Sequence, residues 1–168
     1  MSERQQVSEL AARLHLPDPD FAPTRPFFAA AERGELVIPR CADCATWVWY
    51  PQAICPACGG RRIGWTPVSG RGRIFTWVRA HRSFLPGLQV RVPYVTALVE
   101  LDEHPSLRLA ALLVEDGREP TVGATVEVEF EKLDEPPHLT VPRFRIVEPT
   151  KGRQGREGEV AGGKPSGR

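Results

Sequence analysis

The sequence predicts a mainly β protein: N-terminal helices, a four-cysteine metal module, and a C-terminal five-stranded sheet closed into a small OB-like barrel. Three observations carry this. Apolar residues recur at helical spacing near the N-terminus, four cysteines stand in two tight pairs, and beyond residue 73 the apolar pattern turns to strict alternation. Together they divide the chain into a helical segment, 1–37, a cysteine module, 38–68, a barrel, 69–150, and a tail, 151–168.

Val7, Leu10, Ala11 and Leu14 share one face of a short amphipathic helix over residues 4–14. Pro17-Asp18-Pro19-Asp20 breaks it. Thr24 is then placed to cap a second helix, with Pro26 in its first turn, Gly34 at its end, and Phe27, Phe28 and Ala31 on its buried face.

The cysteines follow Cys41-x2-Cys44-x10-Cys55-x2-Cys58. Each C-x2-C turn brings two thiolates to one side, and two such turns facing each other supply four sulfurs in a tetrahedron at about 2.3 Å around zinc. An iron site of rubredoxin type fits the same spacing, but nothing else in the chain points to electron transfer. With all four positions filled by thiolate there is no place for an activated water, so the expected Zn2+ is structural. Two readings apply to Trp47, Trp49, Tyr50 and Pro51 in the intervening loop: they pack over the metal site and onto the barrel, or they form a partner surface.

Strand patterns follow at 73–81, 94–101, 107–114, 125–131 and 140–147. In the first, Arg73, Phe75, Trp77, Arg79 and His81 alternate against Ile74, Thr76, Val78 and Ala80. In the fourth, Val126, Val128 and Phe130 face in, and Glu127, Glu129 and Glu131 are expected to face solvent. No pattern between the strands is long enough for a crossover helix, which argues for antiparallel pairing and closure. Gly70 and Gly72 belong to the turn entering the first strand. The tail beyond Lys151 has too few large apolar residues to offset the entropy of ordering it, and is expected to be disordered.

Composition narrows the function. The 168 residues carry a formal net charge of +1, of which the tail holds five Lys/Arg against two Asp/Glu, so residues 1–150 are slightly acidic. A fold built to grip phosphate backbone would show the opposite balance, so a nucleic-acid partner is disfavoured. Neither an apolar run of membrane length nor a secretory leader is visible, which points to the cytoplasm, where paired cysteines bind metal sooner than form disulfides. Zinc takes all four thiols, no serine elbow is present, and no phosphate-cradling loop follows Gly70-Arg71-Gly72, so the chain is expected to lack catalytic residues. His15, His104 and His138 stand beside turns or helix ends and read as solvated. Trp77, Arg79 and His81, with Arg82 and Phe84 beyond, could form an aromatic and cationic strip for an acyl ligand or partner, or an exposed strand face under the cysteine module.

Several of these features occur in an order that resembles a known family. They are Pro26-Phe27-Phe28, Gly34-Glu35-Leu36, Arg40-Cys41-Ala42-Asp43-Cys44, Tyr50-Pro51 and Cys55-Pro56-Ala57-Cys58-Gly59, then Trp65, Ser69-Gly70-Arg71-Gly72, Pro93-Tyr94-Val95, Val99-Glu100-Leu101-Asp102, Gly123, Val126-Glu127-Val128 and Pro142-Arg143-Phe144. The chain resembles, over about residues 20–148, the small zinc-ribbon/OB-fold family, formerly a domain of unknown function, whose members accompany thiolase-like enzymes. Phe28 stands where that family often has Trp, and Ala45 where it often has Gly. The resemblance implies N-terminal helices, a rubredoxin-like zinc ribbon and a C-terminal OB barrel. It also implies an accessory role beside an acyl-CoA enzyme: a thiolase, a hydroxymethylglutaryl-CoA synthase, a lipid-transfer-type aldolase of steroid side-chain degradation, or an enoyl-CoA hydratase. There the zinc-ribbon protein supports the partner and helps to form its CoA-ester channel.

Overall fold

In the computed structural model, residues 17–18, 20–82, 92–133 and 139–148 are described. The helix expected over 4–14 and the tail beyond 151 lie outside them, as do His15, Phe84 and His138. The described elements are one helix, α1 (Arg25–Glu32), a two-stranded ribbon of β1 (Val37–Cys41) and β2 (Ile63–Pro67), and five further strands. These are β3 (Arg71–Ala80), β4 (Tyr94–Leu101), β5 (Arg108–Leu112), β6 (Thr125–Leu133) and β7 (Leu139–Ile146).

α1 is the helix expected after Thr24, with Pro in its first turn. It buries Phe27, Phe28, Ala30 and Ala31, and each buried phenyl ring contributes about 1.5–3 kcal/mol by leaving water. Thr24 does not cap it through its side chain. The hydroxyl instead donates back to the Phe21 carbonyl at 3.4 Å, because the Thr24 backbone is already in the helical region and its side chain turns away from the free amides.

The five strands pair antiparallel in the order β5-β4-β3-β6-β7. Each coincides with one of the expected strand segments, β5 with the mostly apolar run over 107–114 and the others with alternating ones. Burial alternates cleanly along β4, where Val95, Ala97, Val99 and Leu101 enter the core. Gly70 enters β3 at φ 71°, and a Cβ there would lie 2.2 Å from the Val128 side chain, so only glycine fits this approach to β6.

The expected closed barrel is corrected in one respect: the sheet is not closed by a ladder. Among the described residues its two edges meet at a single parallel bridge, Leu113 with Phe144, where the Val114 N–H donates to the Phe144 carbonyl at 2.8 Å. Two residues back along that edge of β7 stands Pro142, which has no N–H to continue the seam, and β5 has already ended at Leu112.

One apolar core runs through the molecule. Phe27, Phe28, Leu36 and Ile38, from α1 and the start of the ribbon, pack with Ile74, Val99, Leu109, Val126 and Phe144 of the sheet. Helix α1 packs against β7 and β1 and so joins ribbon to sheet.

Two expectations about surfaces are also corrected. Glu127, Glu129 and Glu131 are not a simply solvated face. Glu129 takes a bidentate pair from Arg145, Glu131 pairs with Arg143, and Arg71 lies 3.5 Å from Glu127. Arg143 and Arg145 occupy β7 beside β6, so the acidic stripe meets a basic one across strands. The second correction concerns β3. The register shifts between Ile74 and Thr76, and beyond this bulge Trp77 pairs with Ala97 and Arg79 with Val95, both core-facing residues. Phe75 stands at the bulge, exposed, with the Arg108 guanidinium 3.6 Å from its ring centre. The extra residue therefore separates Phe75 from Trp77 and Arg79, which simple alternation had placed on one face.

Candidate metal centre

β1 delivers Cys41 at its last position, and the chain then turns through Cys44. The Ala45 N–H donates to the Cys41 carbonyl and the Cys41 N–H to the Thr46 carbonyl, both at 2.9 Å. The second knuckle repeats this pattern, with Gly59 N–H to the Cys55 carbonyl at 2.9 Å and Cys55 N–H to the Gly60 carbonyl at 2.8 Å. β2 then carries the chain back, Ile63 pairing with Cys41, so the ladder fixes one knuckle against the other.

The result is a cluster in which the four sulfur atoms lie within 4.8 Å of one another. Cys41 Sγ is 3.7 Å from Cys58 Sγ, and Cys44 Sγ is 3.6 Å from Cys55 Sγ. A tetrahedron with metal–sulfur bonds of 2.3 Å has edges of about 3.8 Å, so these separations suit zinc. None of the four is in a disulfide. Cys41 and Cys55 are buried while Cys44 and Cys58 are exposed, which gives the site a closed inner side and an open outer one.

The thiols are unequal before metal binds. Hydrogen bonds from the Thr46 side chain and backbone bring Cys44 down to about 6. At Cys58 the Gly60 N–H pulls downward, but hydrogen bonding to the Cys44 thiolate, burial and the other two cysteines together push it up to about 12. Zinc binds cysteine as thiolate, so a 2+ ion would displace the thiol protons as it enters.

The loop aromatics mostly pack inward. Phe27 lies 5.4 Å from Trp49 and 6.5 Å from Trp65 between ring centres, while Trp47 packs against the same core and takes the Arg40 guanidinium over its ring at 4.9 Å. Tyr50 stacks on Trp49 at 4.9 Å and remains 62% exposed, the one aromatic of this loop that is open to solvent.

The other candidate strip is only partly assembled. Trp77 is 36% exposed, Arg79 is paired with Glu119 at 2.6 Å, and His81 lies just past the end of β3. Asp43 is a residue that the sequence did not single out. It sits between the ligands of the first knuckle and accepts from Arg62 beyond the second at 2.8 Å.

Comparison with known proteins matches both halves. Residues 28–64 match the model described as the ChsH2 rubredoxin-like zinc ribbon domain, and residues 65–131 match the ChsH2 C-terminal OB-fold domain. A DUF35 domain-containing scaffold protein of Pyrococcus furiosus is 34% identical over 104 residues, 62% of this chain and 67% of that protein. The chain belongs to the ChsH2, or DUF35, family. A solved chain of the Ltp2-ChsH2(DUF35) aldolase is 34% identical and superposes with a TM-score of 0.64, over 77% of this chain and 98% of that one. A probable enoyl-CoA hydratase alpha subunit of Thermomonospora curvata is 36% identical over 126 residues, but this chain spans only 37% of its length. A DUF35 protein of Sulfolobus solfataricus shares the fold at 14% identity, with a TM-score of 0.51.

Family and geometry agree on the metal: a rubredoxin-like ribbon whose four clustered cysteines are suited to zinc. Among the described residues no helix is long and apolar enough to cross a membrane.

Proposed function

We propose that this chain is a non-catalytic accessory subunit of a thiolase-like acyl-CoA enzyme, a thiolase or a retro-aldolase acting on steroid or lipid side chains. It would support the partner and its CoA-ester channel in the cytoplasm. Cys41, Cys44, Cys55 and Cys58 hold the structural zinc. The observation that carries this reading is the chemistry of that cluster. A tetrathiolate site consumes every cysteine of the chain and leaves no open position for a metal-bound water, which supports the reading that the reactive group is supplied by another polypeptide. The likeness to a chain of the Ltp2-ChsH2 aldolase supports the choice of partner class. Trp77, Arg79 and His81 at the end of β3, with Phe84 further along the sequence and outside the described residues, are the further residues we assign to the partner or its acyl ligand.

The test is affinity capture of the tagged chain from its native host, followed by acyl-CoA assays on the chain alone and on the recovered complex. A thiolase-fold subunit in the eluate, with turnover in the complex only, is the expected result. Turnover by the isolated chain would sink the proposal. The Thermomonospora curvata relative favours a second reading, a subunit of an enoyl-CoA hydratase, and hydration activity in the captured complex would select it.

A further inference from the structure

The two knuckles are joined on their outer side by a contact that ligand spacing does not require. Ala42 donates its N–H to the Arg62 carbonyl at 2.8 Å, which brings Arg62 alongside the first knuckle. Arg62 Nε then donates to Asp43 Oδ1 at 2.8 Å, and its Nη2 reaches the same oxygen. The carboxylate is 29% exposed although it lies in the most open part of the site, because it rests against the second knuckle. A Cβ on Gly60 would fall 2.3 Å from Asp43 Oδ2 and 3.2 Å from Cys58 Sγ, so this position must be glycine for the carboxylate to lie where it does.

The electrostatics make this arrangement conditional. Zinc with four thiolates carries a net charge of −2, and a carboxylate beside it is unfavourable unless a cation stands with it. The Arg62 guanidinium is that cation. We propose that Asp43 and Arg62 form a latch across the two knuckles that retains the zinc, closing the side on which Cys44 and Cys58 are exposed. They are positioning residues: neither offers a ligand, and each acts by holding the other against the knuckle opposite its own. This inference rests on the zinc site alone and not on the identity of any partner.

Neither side chain bonds a ligand sulfur, so the expected effect is that of an ion pair exposed on its arginine side, about three- to fivefold in zinc release. The experiment uses the full-length, zinc-loaded chain and follows zinc release to a coloured chelator for Asp43→Asn, Arg62→Met, Arg62→Lys and the Asn/Met double variant. Each is also loaded with Co2+ to record the thiolate charge-transfer and d–d bands of a tetrahedral site. The single variants should release zinc about three- to fivefold faster, the double variant no faster than either single, and Arg62→Lys at an intermediate rate, all with the Co2+ spectrum of the wild type. Wild-type release should quicken with added salt and that of the variants should not, since salt screens an exposed pair. Release within twofold of wild type for both Asp43→Asn and Arg62→Met, or independent additive effects in the double variant, would overturn the latch. So would an altered Co2+ spectrum in the nearly isosteric Asp43→Asn, which would give Asp43 a role in building the tetrahedron instead of retaining its metal.

Discussion

Ala45 shows how one residue can oppose the turn it occupies. It follows the first ligand pair at φ 61°, a left-handed conformation that costs an L-residue about 1–2 kcal/mol and glycine almost nothing. Ala45→Gly relieves this cost, offset by about 0.4–1 kcal/mol of extra entropy in the unfolded chain. The zinc-loaded variant should therefore be more stable by about 0.5–1 kcal/mol, seen as a higher urea midpoint at unchanged slope. A lower midpoint would mean that the alanine methyl makes contacts worth more than the strain. At this scale the sequence was informative where chemistry is local. The four ligands follow from spacing alone, because a C-x2-C turn has few ways to arrange its sulfurs. Asp43 was not legible as a latch, since its partner Arg62 is 19 positions away and the contact exists only once both knuckles have folded.

Among the elements, the β6–β7 pair carries a network that links Glu129, Arg145 and Asp116, with Arg118 beside it. The Arg118 N–H, and then Arg145, hold Asp116 below the ordinary carboxylate range, and Arg145 does the same for Glu129. Groups whose folded pKa is depressed stabilise the protein above their unfolded values of about 3.9 and 4.3, and that stabilisation is lost as pH falls through the folded values. Arg145→Met should accordingly lower the urea midpoint at pH 7, with the deficit shrinking once the pH drops below about 4. A deficit that stays constant across that range would assign the loss to packing of the arginine stem. Strand positions were legible because alternation survives in a two-faced sheet. Pairing partners were not, so the glutamates read as solvated until β7 set Arg143 and Arg145 beside them. The bulge in β3 was equally hidden, since one inserted residue leaves each half of the strand alternating correctly and changes only their relative phase.

At the level of the whole molecule, the ribbon and the sheet share one core through α1, Leu36 and Ile38. Metal binding to small zinc modules is worth on the order of 10–16 kcal/mol, and part of it should stabilise the sheet through those contacts. Thermal unfolding of the zinc-loaded protein is expected as one cooperative transition, followed both by the fluorescence of a Trp77→Phe variant, whose remaining Trp47, Trp49 and Trp65 report the ribbon and its loop, and by the β-sheet circular dichroism. Chelation should shift both signals together to lower temperature. A sheet transition unmoved by chelation would show the two halves to be independent. Conversely, the metal site needs that core, because β1 holds Cys41 in place through Ile38, which is fully buried against the sheet.

The sequence by itself determined what depends on near neighbours: the four-cysteine cluster suited to zinc, the helix at Pro26 and the five strand segments of the sheet. Only the tertiary structure decided which segments meet. It left the edges of the sheet joined by the Leu113–Phe144 bridge instead of a ladder, turned Trp77 away from Phe75, paired the glutamates of β6 and brought Asp43 to Arg62. The reason is the range of the forces involved. Side-chain alternation and C-x2-C geometry are fixed within a few bonds, whereas register, closure and ion pairing are settled by competition among distant partners, which exists only in the folded chain.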